Sequence, residues 1–163
     1  NEVYGMTGGQ VSPTTSEARL TSTTPLGNSE PHFDACALAA AAGASFVGRE
    51  GTRHVPKLKE LIRSGLAHPG FAFVEVLSDC TEIFGRKNEL GSSPEMMLRQ
   101  KSELRPSAYR DTVDTPFRSN DLPTGILTKT DRPEYGAAYR KAAVAQRANT
   151  AARTGAGTGK GKA

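Results

Sequence analysis

Glycine and polar side chains crowd the first ten residues of the chain, where the sequence most favours ligand chemistry. Gly5, Gly8 and Gly9 carry no Cβ, so the backbone is free to approach a bound group closely. Thr7 and Gln10 can add polar contacts from the same loop. A glycine-rich loop by itself is weak evidence for a site, because a simple structural turn has the same composition.

Cys80 is the second candidate for chemistry, because it closely follows an apolar run at residues 71–78 that we predict to be a buried strand. Ligands collect at the carboxyl ends of the strands in open parallel sheets. Asn1 should follow another strand of the same sheet, so we expect the first loop and Cys80 to share one edge. Taken alone, a lone cysteine after a buried strand is more often a small packing residue.

Two further polar groups near this strand have simpler interpretations. Glu75 lies in the middle of the apolar run, so it should be hydrogen-bonded or paired with an arginine rather than act in acid–base catalysis. Cys36 lies within an alanine-rich stretch and should pack there. The sequence contains no Ser-His-Asp set, Walker loop or HExxH motif, and we assign no catalytic side chain.

A strand, a helix and a second strand are predicted between residues 45 and 78, and these elements should position the candidate groups. Pro56 suits a first-turn position of the helix. Four apolar residues follow at helical spacing on one face: Leu58, Leu61, Ile62 and Leu66. Residues 45–49 and 71–78 are the flanking strands. This order gives a right-handed unit of parallel strands, so we predict an α/β fold with a parallel sheet.

Weaker patterns flank this unit. An alanine-rich helix is predicted from Phe33, with Gly43 as its stop signal. A short helix is predicted at residues 94–101, and a terminal strand at residues 125–127. Residues 101–136 are punctuated by proline and have little periodicity, so we expect this segment to be extended and to wrap a neighbouring subunit or the missing N-terminal half of the subunit.

The net charge of +4 comes from the C-terminal tail rather than from a folded surface. Residues 137–163 hold six basic residues and no acidic one, whereas the other 136 residues hold 15 basic and 17 acidic ones. The tail has no aromatic residue after Tyr139, so we predict a disordered basic terminus and no nucleic-acid partner. No apolar run approaches the roughly 20 residues of a membrane span. Two cysteines make no disulfide framework, which favours a cytoplasmic protein.

The opening run resembles the metal–diphosphate loop of thiamine-diphosphate enzymes, specifically that of the β subunit of the 2-oxoacid:ferredoxin oxidoreductases. It reads Asn-Glu-Val-Tyr-Gly-Met-Thr-Gly-Gly-Gln over residues 1–10 and continues with Ser-Pro-Thr-Thr at residues 12–15. The segment around Cys80, from Phe73 to Arg86, is similar to the family segment whose cysteine is the last thiolate ligand of a 4Fe-4S cluster. The resemblance implies a thiamine-diphosphate-binding fold, of which residues 1–100 would be the C-terminal part.

The resemblance also implies roles for individual residues. Asn1 would give a side-chain oxygen, and Val3 its backbone carbonyl, to a Mg²⁺ ion that bridges the cofactor diphosphate. The residues around thiamine diphosphate would be Val3, Tyr4, Gly5, Met6, Thr7, Gly8, Gly9 and Gln10. Cys80 would bind the cluster, with the other three thiolates and an aspartate of the metal site lying upstream. The family usually has proline after this cysteine, where the chain has Thr81.

The implied reaction is the oxidative decarboxylation of a 2-oxoacid with coenzyme A, giving acyl-CoA and CO₂ and reducing ferredoxin. Met6 stands where pyruvate-type relatives typically carry asparagine, which favours 2-oxoglutarate. An α subunit of the same enzyme is the implied partner. We expect the chain to be the C-terminal half of a larger catalytic subunit and to be inactive alone, because the strand that should carry its first loop is missing.

Two other classes of protein stay open. A non-redox thiamine-diphosphate decarboxylase or carboligase could share the loop but would not need Cys80. A non-catalytic interaction module could retain the fold without the activity. The iron content of the full-length protein separates the first class from an oxidoreductase, and cofactor binding separates the second.

Overall fold

The structure is a computed structural model, and it describes residues 2–106 and 122–155. Its strands and helices are, in chain order, β1 (Val3–Tyr4), β2 (Gln10–Val11), α1 (Ala35–Ala41), β3 (Phe46–Gly51), α2 (Val55–Ala67), β4 (Ala72–Leu77), α3 (Ser93–Glu103), β5 (Leu104–Pro106), β6 (Leu122–Lys129) and α4 (Tyr135–Gly155). A 3-10 turn, Gly5–Thr7, and a π-helical turn, Thr81–Gly85, add to these elements. Helices α1, α2 and α3 and strands β3, β4 and β6 form where the sequence predicts them.

The main sheet of the described residues is mixed, with the strand order β4-β3-β6-β5. Strands β3 and β4 are parallel and joined by α2, so the predicted unit of parallel strands is confirmed. Strand β6 pairs with the other side of β3 and runs antiparallel to it, and β5 runs parallel to β6 at the far edge. The α/β fold class is therefore confirmed, while the expectation of a parallel sheet is wrong for β6, whose direction no hydrophobic pattern encodes.

Helix α2 packs on the sheet through Leu61 and Gly65, which are four residues apart on one face of the helix. Leu61 is buried and lies over Gly48 of β3, where a Cβ would overlap its side chain. Gly65 packs against Val74 and Phe46, which leaves the helix close to the sheet. Leu66, by contrast, is 84% exposed, because it lies about 100° around the helix from Gly65. The predicted apolar face of α2 is therefore only partly buried among the described residues.

The core lies between α1 and the two parallel strands. Cys36, Ala44 and Val47 are buried together, and Phe73 and Leu127 pack against them. The prediction that Cys36 packs within the alanine-rich helix is confirmed. The small side chains of α1 let this helix approach the sheet closely, as the alanine-rich sequence predicts.

The C-terminal third contains one predicted and one unpredicted element. Residues 122–129 form strand β6 of the main sheet, which contains the strand predicted at residues 125–127, and the expected wrapping of a neighbouring subunit stays a prediction. The sequence predicts a disordered tail from residue 137, but residues 135–155 form the exposed helix α4. Alanine, arginine, lysine and glutamine, which are frequent in this segment, are strong helix formers. Residues 107–121 and 156–163 lie outside the described residues. Within the described ranges, no helix combines the length and apolarity needed to cross a membrane.

Candidate cofactor loop and cluster ligand

The glycine-rich loop is a tight hairpin turn at the start of the chain. Strands β1 and β2 pair antiparallel, with Tyr4 opposite Gln10, and enclose the 3-10 turn. The N–H of Gly9 donates to the carbonyl oxygen of Tyr4 at 2.9 Å, and that of Gly8 donates to Gly5 at 3.3 Å. Gly8 and Gly9 have φ angles of 118° and 81°. This is the left-handed region that favours glycine, so the turn needs both residues.

The side chains of the loop fix the turn and leave its outer surface open. The hydroxyl of Thr7 donates to Oε1 of Gln10 at 2.7 Å, and Nε2 of Gln10 donates to the carbonyl of Thr7 at 2.8 Å. Tyr4 is 55% exposed and Met6 is fully exposed. The side chain of Val3 is buried, so this residue can offer only its backbone to a ligand. Asn1, the predicted metal ligand, lies outside the described residues.

A long loop at residues 12–34 connects β2 to α1, and its side chains and backbone hydrogen-bond to the turn. The hydroxyl of Ser22 donates to the carbonyl of Gly8 at 2.6 Å, and its backbone N–H donates to Gly9 at 2.8 Å. The hydroxyl of Thr23 accepts from the N–H of Val11 at 2.9 Å. These contacts were missed by sequence reasoning, where the only signal was the abundance of serine and threonine in residues 12–24.

Cys80 lies directly against the glycine-rich turn. A Cβ built on Gly5 would be 3.6 Å from Sγ of Cys80, which is van der Waals contact. A Cβ built on Gly9 would overlap the side chain of Ile83, three residues after the cysteine. Cys80 is partly exposed and is not in a disulfide. The expected proximity of the first loop and Cys80 is thus observed, with the turn lying beside the segment that follows β4.

The side chain of Gln100, in α3, hydrogen-bonds to Asp79, the residue that precedes Cys80. Its Nε2 donates to Asp79 at 3.0 Å and to the hydroxyl of Thr52 at 3.2 Å, and its Oε1 accepts from the N–H of Arg53 at 3.0 Å. The pKa of Asp79 is raised because burial outweighs the hydrogen bond from Gln100. Gln100 is 5% exposed, so it ties α3 to the carboxyl ends of both parallel strands. No sequence pattern indicated this role.

An ion-pair cluster is centred on the buried guanidinium of Arg49, in β3. Nε of Arg49 donates to Glu75 at 2.5 Å, and its Nη2 donates to Asp34 at 2.5 Å, so the predicted pairing of Glu75 is confirmed. Burial would raise the pKa of Asp34, but the N–H of Ala37 and the charge of Arg49 outweigh it and hold the pKa below its usual range. Burial raises the pKa of Cys36 to about 12, and its thiol donates to Glu75 at 3.4 Å.

This cluster is structural rather than a metal site. Asp34, Cys36 and Glu75 bring three possible ligand atoms within 4.8 Å of one another. The guanidinium of Arg49 already neutralises both carboxylates and would repel a cation. The thiol of Cys36 also stays protonated at neutral pH, whereas metal ligation requires the thiolate.

Comparison with known proteins shows what the glycine-rich loop and the residues after it are similar to. Residues 1–76 match the family of the thiamine pyrophosphate enzymes described as the C-terminal TPP binding domain. The 2-oxoglutarate synthase subunit KorB of Methanocaldococcus jannaschii is 44% identical over 137 residues, which cover 83% of this chain and 50% of the relative. The subunit of the same name from Methanothermobacter marburgensis is 40% identical over 136 residues, covering 82% of this chain and 47% of the relative.

A solved structure has the same fold. It is the 2-oxoglutarate:ferredoxin oxidoreductase from Magnetococcus marinus, with a TM-score of 0.69 and 24% sequence identity, covering 91% of this chain and 50% of that one. This chain therefore spans about half the length of these relatives. Residues 1–76 thus match the C-terminal TPP binding domain of thiamine pyrophosphate enzymes, and the chain as a whole is similar to the KorB subunits of 2-oxoglutarate synthases.

Proposed function

We propose that the chain is part of the β subunit of a 2-oxoacid:ferredoxin oxidoreductase. This enzyme oxidatively decarboxylates a 2-oxoacid, for which 2-oxoglutarate is favoured, with coenzyme A to acyl-CoA and CO₂, and reduces ferredoxin. The observation that carries the proposal is the contact between the glycine-rich turn and the thiol of Cys80, 3.6 Å from a Cβ on Gly5. A non-redox thiamine enzyme has no need of a free thiol beside its cofactor loop.

The loop fits thiamine diphosphate and Mg²⁺ by the groups that it offers. Carbonyl and amide oxygens are suitable ligands for Mg²⁺, and we assign the backbone carbonyl of Val3 and the side chain of Asn1 to this role. The left-handed glycines Gly8 and Gly9 keep side-chain bulk away from the turn. When bound, thiamine diphosphate supplies the electron sink for the loss of CO₂. The hydrogen bonds between Thr7 and Gln10 fix the conformation of the turn that would bind the cofactor.

Cys80 fits one ligand position of a 4Fe-4S cluster. It is partly exposed and not in a disulfide, and its soft sulfur is the ligand that iron–sulfur clusters require. Cys36 does not fit, because it is buried in α1 against Glu75 and its pKa is raised to about 12. The other three thiolates of the cluster would therefore come from the remainder of the full-length subunit.

The proposed partners follow from this reaction. An α subunit would complete the thiamine-diphosphate site, and ferredoxin would take the electrons from the cluster. Both cysteines of the chain are free thiols, which favours a cytoplasmic enzyme. Met6, exposed on the turn, is the residue that we assign to the preference for 2-oxoglutarate over pyruvate.

The test is anaerobic turnover by the full-length subunit assembled with its partner subunit. With 2-oxoglutarate, coenzyme A and ferredoxin, we expect succinyl-CoA by mass spectrometry together with bleaching of the visible absorbance of ferredoxin. Pyruvate should give a kcat/KM at least tenfold lower. Release of CO₂ without reduction of ferredoxin would assign the protein to the non-redox thiamine enzymes, and failure to bind thiamine diphosphate would leave an interaction module.

A further inference from the structure

The side chain of Asn88 joins the segment that carries Cys80 to the long loop behind the glycine-rich turn. Its Oδ1 accepts a hydrogen bond from the N–H of Leu20 at 2.8 Å, and its Nδ2 donates to the carbonyl of Leu20 at 2.9 Å. The two residues are 68 positions apart in sequence, so this is a tertiary contact rather than a local turn. A carboxamide carries both an acceptor oxygen and a donor nitrogen, so it can pair with the N–H and the carbonyl of one residue.

On one side, this contact leads to the cofactor loop. Leu20 is two residues before Ser22, which hydrogen-bonds to both Gly8 and Gly9 through its hydroxyl and its backbone N–H. Residues 20–22 therefore have Asn88 bound at one end and the glycine-rich turn bound at the other. A shift of Asn88 would be transmitted to the turn over three residues of backbone.

On the other side, Asn88 is bound into the π-helical turn that begins after Cys80. Its Nδ2 also donates to the carbonyl of Phe84 at 3.0 Å. The next residue, Gly85, donates its N–H to the carbonyl of Cys80 at 2.7 Å. The side chain of Phe84 is buried, which fixes this turn against the core.

We propose that Asn88 is a positioning residue for electron transfer, and this inference rests on the function proposed above. It fixes the distance and orientation between the glycine-rich turn, which holds the cofactor, and Cys80, which holds the cluster. In the proposed reaction, the two electrons released by oxidation of the 2-oxoacid would reach ferredoxin singly through the cluster that Cys80 would help to hold. Their rate depends on this distance because electronic coupling falls steeply with separation. Residues that orient a metal ligand without binding the metal also change the reduction potential of the metal.

The test uses Asn88→Ala and Asn88→Asp in the full-length subunit, assembled with its partner. Alanine removes all three hydrogen bonds, whereas aspartate keeps the acceptor for Leu20 and loses the donor. In Asn88→Ala we expect a changed EPR spectrum and a shifted midpoint potential of the cluster, with single-turnover ferredoxin reduction slowed by about tenfold or more. Asn88→Asp should show changes of the same kind, because its second carboxylate oxygen would face the carbonyls of Leu20 and Phe84 without a proton to donate. The dissociation constant for thiamine diphosphate should change less than the midpoint potential, because the hydrogen bonds from Ser22 to Gly8 and Gly9 are kept in the variant.

Asn28→Ala is the matched control. It removes the same chemical group from the long loop that Asn88 contacts, but among the described residues the side-chain amide of Asn28 bonds to Thr15 and Glu30 rather than to Leu20 or Phe84. It should lower stability and leave the EPR spectrum unchanged. Equal spectral changes in Asn28→Ala and Asn88→Ala would overturn the inference, because general loosening of the loop would then be the cause.

The remaining outcomes separate this inference from the proposed function. A wild-type complex that contains no iron would refute the proposed function itself. Iron-loaded complexes in which Asn88→Ala has the wild-type potential, spectrum and ferredoxin rate would refute only the role of Asn88. If Asn88→Ala does not assemble, the same comparison with Asn88→Asp decides the matter.

Discussion

Replacement of Gly9 by alanine perturbs the contact between the cofactor loop and the segment after Cys80. A Cβ at this position would overlap the Cγ2 methyl of Ile83 and would lie 3.1 Å from the hydroxyl of Ser22. Ile83 is β-branched and stiff about χ1, so its methyl cannot move aside without repacking. The φ angle of Gly9, 81°, also disfavours alanine.

These two effects give the expected magnitude. The left-handed conformation costs an alanine about 1–2 kcal/mol, and forcing a methyl into a packed contact costs about 1–3 kcal/mol, so Gly9→Ala should lose about 2–5 kcal/mol. Gly8→Ala is the matched control, because its φ angle is 118° but its Cβ would meet nothing closer than Gln10 at 3.8 Å. It should therefore lose only the conformational part, about 1–2 kcal/mol.

Guanidinium denaturation of the full-length subunit measures these losses, and calorimetric titration of thiamine diphosphate with Mg²⁺ into the assembled complex measures the effect on the site. A double-mutant cycle of Gly9→Ala with Ile83→Ala should show a coupling energy of about 1–3 kcal/mol, because the smaller side chain makes room for the new methyl. Equal losses for Gly8→Ala and Gly9→Ala, with no coupling to Ile83, would refute the contact.

Three further predictions concern the buried cluster around β4. Arg49→Ala leaves the carboxylates of Asp34 and Glu75 without their cation and should lower the free energy of unfolding by about 3–5 kcal/mol in denaturant titrations; a loss under about 1 kcal/mol would contradict the pairing. The pKa of Asp34 is lowered from 3.8 by folding, so its contribution is present above that pH and disappears as the pH falls through the lowered pKa. The stability difference between wild type and Asp34→Asn should thus shrink below about pH 4, and a constant difference would refute this. Iodoacetamide at pH 8 should alkylate Cys80 of the native, cluster-free protein but not Cys36, because a pKa of about 12 leaves roughly one thiolate in 10⁴; mass spectrometry of a native protein modified at Cys36 would contradict this.

The parts of the fold that were predictable depend on local patterns. The periodicity of residues 58–66 and the apolar run at 71–78 identify α2 and β4 from sequence alone. The rule that parallel strands present their carboxyl ends at one edge then brings Cys80 to the first loop. The charge of Glu75 in an apolar strand predicts a partner, but its identity as Arg49 requires the register of β3 against β4.

What could not be predicted is set by contacts between residues distant in sequence. Asn88 and Gln100 act through hydrogen bonds that span 68 and 48 residues, and no local pattern marks them. The antiparallel direction of β6 is likewise a property of the chain path. Helix α4 differs from expectation for another reason, since the basic charge and lack of aromatic residues in the tail indicate disorder while its alanines favour helix.

The iron content and visible spectrum of the full-length subunit carrying Cys80→Ser test the central claim most directly. Serine keeps the size of the side chain but offers a harder oxygen in place of the soft thiolate. Cys36→Ser is the internal control, because that thiol is buried against Glu75 and away from the loop. We expect Cys80→Ser to lose iron or change the visible absorbance and to stop reducing ferredoxin, while Cys36→Ser keeps the wild-type spectrum. An unaltered iron content and spectrum in Cys80→Ser, with full ferredoxin-linked activity, would contradict the account.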